Sequence, residues 1–208
     1  MGLAFPAKDP SLGQNAAGEV EMSRRDEVVQ FWLGLDSKSW FEVNPVLDQQ
    51  IRAQFMDLWE AVWEGGLRDW QADPQGMLAY LIVADQFPRN MFRGDARSFA
   101  TDDRARAAAR SAVLSGFDMQ VDDASREFFY LPFTHAESMG DQDWSVDLHA
   151  ARVLGASSLL HAKAHREVIR RYARFPYRNA ALGRTTTEAE AEFLAAGGYG
   201  SILKELAG

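Results

Sequence analysis

Two short stretches carry most of the polar chemistry of this sequence. DQFPRNMFRG, residues 85–94, returns further along as RFPYRNAALGR, residues 174–184: Phe-Pro, then Arg-Asn, then another Arg. Planar guanidinium groups suit two-point contact with carboxylate or phosphate, so Arg89, Arg93, Arg174 and Arg178 read as anion ligands, with Gln86, Asn90 and Asn179 supplying amides. Asp85 stands seven and four residues after Leu78 and Leu81, which turns its carboxylate inward at the end of a helix. An anion there meets the negative end of the helix dipole at a cost of roughly 0.3–1 kcal/mol, so Asp85 requires a cation; Arg89 and Arg93 are nearest in sequence. The two turns are therefore expected to meet at one polar pocket holding a small anionic metabolite. Arg178, past a helix-ending proline, is expected to reach solvent easily.

Groups able to move a proton lie between and beside these turns. YLPFTHAESMGDQ offers Tyr130, His135, Glu137, Asp141 and Gln142. His165 shares a helical stripe with Val168, Ile169 and Tyr172, and is expected to be buried and hydrogen-bonded, with His161 on the same stripe. Lys163 and Arg170 fall on the opposite, solvated side. His135, His165 and Glu137 are the candidates for acid–base catalysis. Asp48 and Arg52, one helical turn apart, read as a brace.

His161 and His165 with Glu137 or Asp141 could form a two-His, one-carboxylate set, but no H-E-x-x-H accompanies them and no metal is expected. No glycine-rich phosphate loop, nucleophile elbow or dinucleotide fingerprint is present, and no cofactor is expected.

The elements that must position these groups all read as helices. Ser23 with Asp26 opens the first; Asn44-Pro45 opens a second that carries Leu47, Ile51, Phe55, Leu58 and Val62 on one stripe until Gly65-Gly66. Asp73-Pro74 starts a third, apolar on nearly every side and ended by Pro88. Thr101 caps DDRARAAARSAVLSG, and an aromatic segment REFFYLPF follows. Further helices run through DQDWSVDLHAARVL and SSLLHAKAHREVIRRYARF, and Thr187 with Glu190 begins the last, stopped by Gly197-Gly198. The expected fold is all-α, one domain of seven or eight helices over 23–208, packed as antiparallel pairs behind a tail at 1–22.

Composition narrows the function classes. The chain has 208 residues, 47% hydrophobic, with a formal charge of -8, which argues against a protein built to bind nucleic acid. A mean hydropathy of -0.29 and the lack of a long apolar run argue against a membrane span. The absence of Cys suits a reducing cytoplasm, the expected location.

The stretches IRAQF, DQFPRNMFRGDARSFATD, YLPFTHAES with DQ, and HREVIRRYARFPYRNAALGRTTTEAEAEFL resemble a bacterial family of uncharacterised proteins, domain of unknown function 924, over roughly residues 26–196. The resemblance implies a helical, tetratricopeptide-like fold and no assigned activity, substrate or cofactor. Tyr177 stands where the family pattern usually has His, and Tyr172-Ala173 where it has Phe-Gly. A protein or peptide partner gripped by a concave helical surface is the alternative function, on fold analogy.

Overall fold

A computed structural model describes residues 22–40 and 42–208 of the chain. The tail expected at 1–22 lies outside the described residues except for Met22. Among the described residues there are no strands and there are eight helices of eight residues or more, α1 (Arg24–Leu33), α2 (Pro45–Glu64), α3 (Pro74–Leu81), α5 (Asp102–Leu114), α8 (Met139–Arg152), α9 (Ala156–Tyr172), α10 (Glu188–Ala195) and α11 (Tyr199–Ala207). Shorter helical turns join them: α4 (Phe87–Met91), α6 (Asp123–Arg126) and α7 (Leu131–Thr134).

Local chemistry sets most of the helix starts. Ser23 accepts from the Asp26 N–H, Asn44 from Val46 and Leu47, Asp73 from Gly76, and Thr187 with Glu190 forms a reciprocal capping box. Each cap satisfies N–H groups that the helix cannot, worth about 0.5–2 kcal/mol. α2 buries the expected stripe of Leu47, Ile51, Phe55, Leu58 and Val62. The main core gathers Trp32, Phe55, Phe87 and Phe128 around α3, whose residues from Gly76 onward are all buried. A smaller cluster of Val168, Ile169, Phe175, Phe193 and Ile202 ties α9 to α10 and α11.

Pro88 does not end the central helix. The chain passes from α3 through a π-helical turn, Ile82–Gln86, straight into α4, and Pro88 sits at the start of that segment. The wider turn absorbs the proline, whose missing N–H leaves the Ala84 carbonyl short of its helical donor. Thr101 answers it: its hydroxyl donates to Ala84 O at 2.6 Å, and Arg89 donates to Asp85 O. Thr101 consequently makes no side-chain cap on α5, contrary to the sequence expectation. The chain also continues beyond Gly197-Gly198 into α11.

α9 stops at Tyr172, before the proline. Ala173 takes the left-handed conformation at φ 59°, a position that glycine fills without strain, which gives a physical reason for Gly in the pattern the sequence resembles. None of the helices described is long and apolar enough to cross a membrane.

Candidate functional site

The π turn in the central helix turns Asp85 and Gln86 into the interior, and Asp85 is 1% exposed. Facing it is His135, at the end of α7. Its Nδ1 lies 3.0 and 2.9 Å from the two Asp85 oxygens. Gln86 Nε2 donates to the same carboxylate at 2.5 Å and Arg89 Nη2 stands 3.4 Å away. Burial alone would raise the Asp85 carboxyl, but Arg89 and His135 together hold it down at about 2, so it is ionised and can only accept. The proton of a neutral His135 is thus on Nδ1, and Nε2 is left as an acceptor without a partner among the described residues. Burial first, and Arg89 second, push His135 below the usual imidazole value. Gln142 fixes the ring's backbone from behind, donating to the carbonyls on either side of it, Thr134 at 2.7 Å and Ala136 at 2.8 Å.

His135 enters the wall of a cavity of about 650 Å³, and so do His149, His161 and His165. All four histidines of the sequence therefore face one space. The elements responsible are distant in sequence: α7 ends in His135, α8 brings His149, α9 brings His161 and His165, and α11 brings Tyr199. His149 donates Nδ1–H to Ser145 O at 2.8 Å and His165 donates to His161 O at 2.9 Å, since a carbonyl can only accept. His161 Nδ1 lies 2.6 Å from the Tyr199 hydroxyl. Burial lowers His135 and His149, the cavity's partial shelter lowers His161, and for His165 burial and then the neighbouring His135 drive it to about 3. A cavity wall of neutral imidazoles results. Glu127, also in the wall, is pushed up by burial and opposed by the Ser158 hydroxyl that donates to it at 2.9 Å. Burial likewise raises the Tyr199 phenol, keeping its proton in place.

His165 is hydrogen-bonded as expected but only half-buried, and His161 is exposed. The helical phase is sound, since Val168 and Ile169 are buried on that stripe; the open cavity beside α9 leaves His161 and part of His165 uncovered.

The two Phe-Pro turns meet, but through a carboxylate that the sequence did not single out. Asp102, in the first turn of α5, accepts from Arg89 at 3.1 Å on one oxygen and from Arg178 at 3.0 Å on the other. Arg178 is 4% exposed, donates to His135 O at 2.9 Å, and stacks against Phe99 and Phe175. It is a buried tie, where ready access to water was expected. Glu137 accepts from Arg184 and from the Phe175 N–H, and borders a second, smaller cavity of about 270 Å³ shared with His135 and Arg178.

The remaining candidates go elsewhere. Asn90 and Arg93 both bind Asp48, at 2.9 and 2.6 Å, beside a separate groove, so Asp48 serves them in place of the expected bond to Arg52. Arg174 and Asn179 bind Glu190 at 2.5 and 3.2 Å. Tyr130 donates to Asp118, and Asp141 pairs with Arg110. No three His, Asp or Glu side chains among the described residues are placed to hold a metal ion.

Residues 28–198 match the family described as bacterial protein of unknown function (DUF924). The chain belongs to the DUF924 family. It is also similar to a solved structure, that of a protein of unknown function, ATU0120, from Agrobacterium tumefaciens. The two are 38% identical with a TM-score of 0.78, over 82% of this chain and 96% of that one. No curated protein matches. Of the two departures from the DUF924 pattern, Ala173 strains the end of α9, whereas Tyr177 lies half exposed over Arg178, its hydroxyl accepting from Arg178 Nε at 3.2 Å. Tyr177 is outside the four-histidine cavity.

Proposed function

We propose that this DUF924 protein is an enzyme that moves a proton on a small metabolite bound in the four-histidine cavity, with His135 as the base. The observation that carries this reading is the ionised Asp85 fixing the Nδ1–H tautomer of a neutral imidazole whose Nε2 is free to accept. Such a carboxylate both orients the ring and stabilises the imidazolium that forms when Nε2 takes a proton. Glu127, raised by burial on the same wall, is the matching acid, since its shift favours the protonated form that can donate. His165, its ring centroid 6.0 Å from that of His135, serves to bind substrate as an acceptor.

The substrate class follows from the wall. Neutral imidazoles accept hydrogen bonds, so the ligand is a donor-rich, uncharged or cationic molecule bearing hydroxyl, amide or amine groups. A small anionic ligand at the Phe-Pro turns, as the arginine content suggests, has less support, because Arg89, Arg93, Arg174 and Arg178 are each neutralised by a carboxylate of the protein.

A panel of neutral, cationic and anionic metabolites, read by thermal shift, tests the binding step. Compounds that shift wild type should fail to shift His135→Gln and His165→Gln. Wild type incubated with those compounds in deuterated water should exchange or convert them, and His135→Gln should not. Ligands bound equally by wild type and both variants would place the site elsewhere.

A further inference from the structure

Arginine in this protein is almost always answered by carboxylate. Among the described residues only Arg52, Arg68 and Arg104 make no ion pair, and two of these line one recess of about 320 Å³ between the end of α2 and the faces of α3 and α5. No acidic side chain lines it; Gln71, Tyr80 and Ser111 do.

Both guanidiniums are aimed by the carbonyls that α2 leaves open at its C-terminus. Arg68 Nε donates to Gly65 O at 3.1 Å and Arg104 Nη2 to Trp63 O at 3.1 Å. One N–H of each is thereby used, and the other forks are left without protein partners. Gly65 leaves room for the Arg104 guanidinium. It takes φ 90° to close α2, and a Cβ there would stand 3.2 Å from Arg104 Nη1. Tyr80 is buried in the same wall, and its phenol, raised by burial, is drawn down by Arg104, Arg68 and Gln71. Two like charges thus face a recess of neutral donors, inside a chain whose formal charge is -8.

We propose that this recess is a binding site for a phosphate-type oxyanion, carried as the monoester end of a small organic phosphate. Donors converging from separate walls suit the several oxygens of a tetrahedral anion better than the two coplanar oxygens of a carboxylate. The recess is also larger than a bare phosphate requires and falls in the range of small-molecule sites. It shares no lining residue with the four-histidine cavity and stands whether or not that cavity is catalytic.

Calorimetric titration with inorganic phosphate and with glycerol phosphate tests it. Wild type should bind both, the ester more tightly. Arg68→Gln and Arg104→Gln should each weaken binding about tenfold or more, the worth of one charge-assisted contact. Arg97→Gln, which removes an arginine already paired with Asp95, should leave it unchanged. Ser111→Asp places a carboxylate on the exposed rim and should abolish phosphate binding while raising the melting temperature. This variant keeps the test decisive if an arginine variant folds poorly. Absence of phosphate and ester binding in wild type, or binding that survives the double arginine variant, overturns the proposal.

Discussion

The Thr101 hydroxyl donates to the carbonyl of Ala84 at 2.6 Å, across the gap that Pro88 leaves in the central helix. Both groups are fully buried, so neither can turn to water. Thr101→Val keeps the shape and removes the donor. It should cost about 1–3 kcal/mol, the penalty for a buried acceptor left unsatisfied, read as a lower urea midpoint. Because the same turn aims Asp85, whose carboxylate supports the His135 imidazolium against burial and Arg89, the loss should be accompanied by a further fall in the His135 pKa.

Ala173 offers a test in the stabilising direction. An alanine at φ 59° carries a left-handed penalty of roughly 1–2 kcal/mol that glycine escapes, partly offset by the greater freedom of glycine in the unfolded chain. Ala173→Gly should therefore stabilise the fold by up to about 1 kcal/mol, measurable by chemical denaturation.

Arg178 joins Asp102 to the carbonyl of His135 inside an aromatic cage. Arg178→Ala takes one of the two cations from Asp102, which keeps Arg89, and leaves the His135 carbonyl without its donor; it should destabilise by about 1–3 kcal/mol. An alanine variant that melts like wild type would show that this tie contributes little to the fold.

The lowered histidines link stability to pH. A group whose folded pKa lies below its unfolded value of 6.5 binds more protons when unfolded, so stability is fully present above 6.5 and declines as pH falls toward about 3 for His165. Above the carboxylate range the slope belongs to the imidazoles. The urea midpoint should fall between about pH 7.5 and about pH 5, and His165→Asn should flatten that dependence.

How much of this is legible in the sequence depends on how far apart the partners lie. The caps at Ser23, Asn44, Asp73 and Thr187 are local, a side chain and the N–H groups two or three residues on, and the sequence reading locates all four. The π turn is not local, because its stability rests on Thr101; Pro88 alone looks like a stop. Arg89, Arg174 and Arg178 are visible as cations, but Asp102 and Glu190 look like ordinary first-turn acids until tertiary packing brings them under the guanidiniums. His135 and His165 stand out by type. His149, Glu127 and Tyr199 join them only when α8, α9 and α11 pack around one space, although a count of just four histidines was the available signal to ask whether they converge.

The state of the His135 ring tests the central claim most directly. Nitrogen-detected NMR of imidazole-labelled protein, titrated through the imidazole range, reports its tautomer and pKa together. A proton on Nδ1 with a pKa below 6.5, and loss of that tautomer preference in Asp85→Asn, is the result expected of an oriented base. A proton on Nε2, or a pKa at or above 6.5 in the wild-type protein, would contradict it.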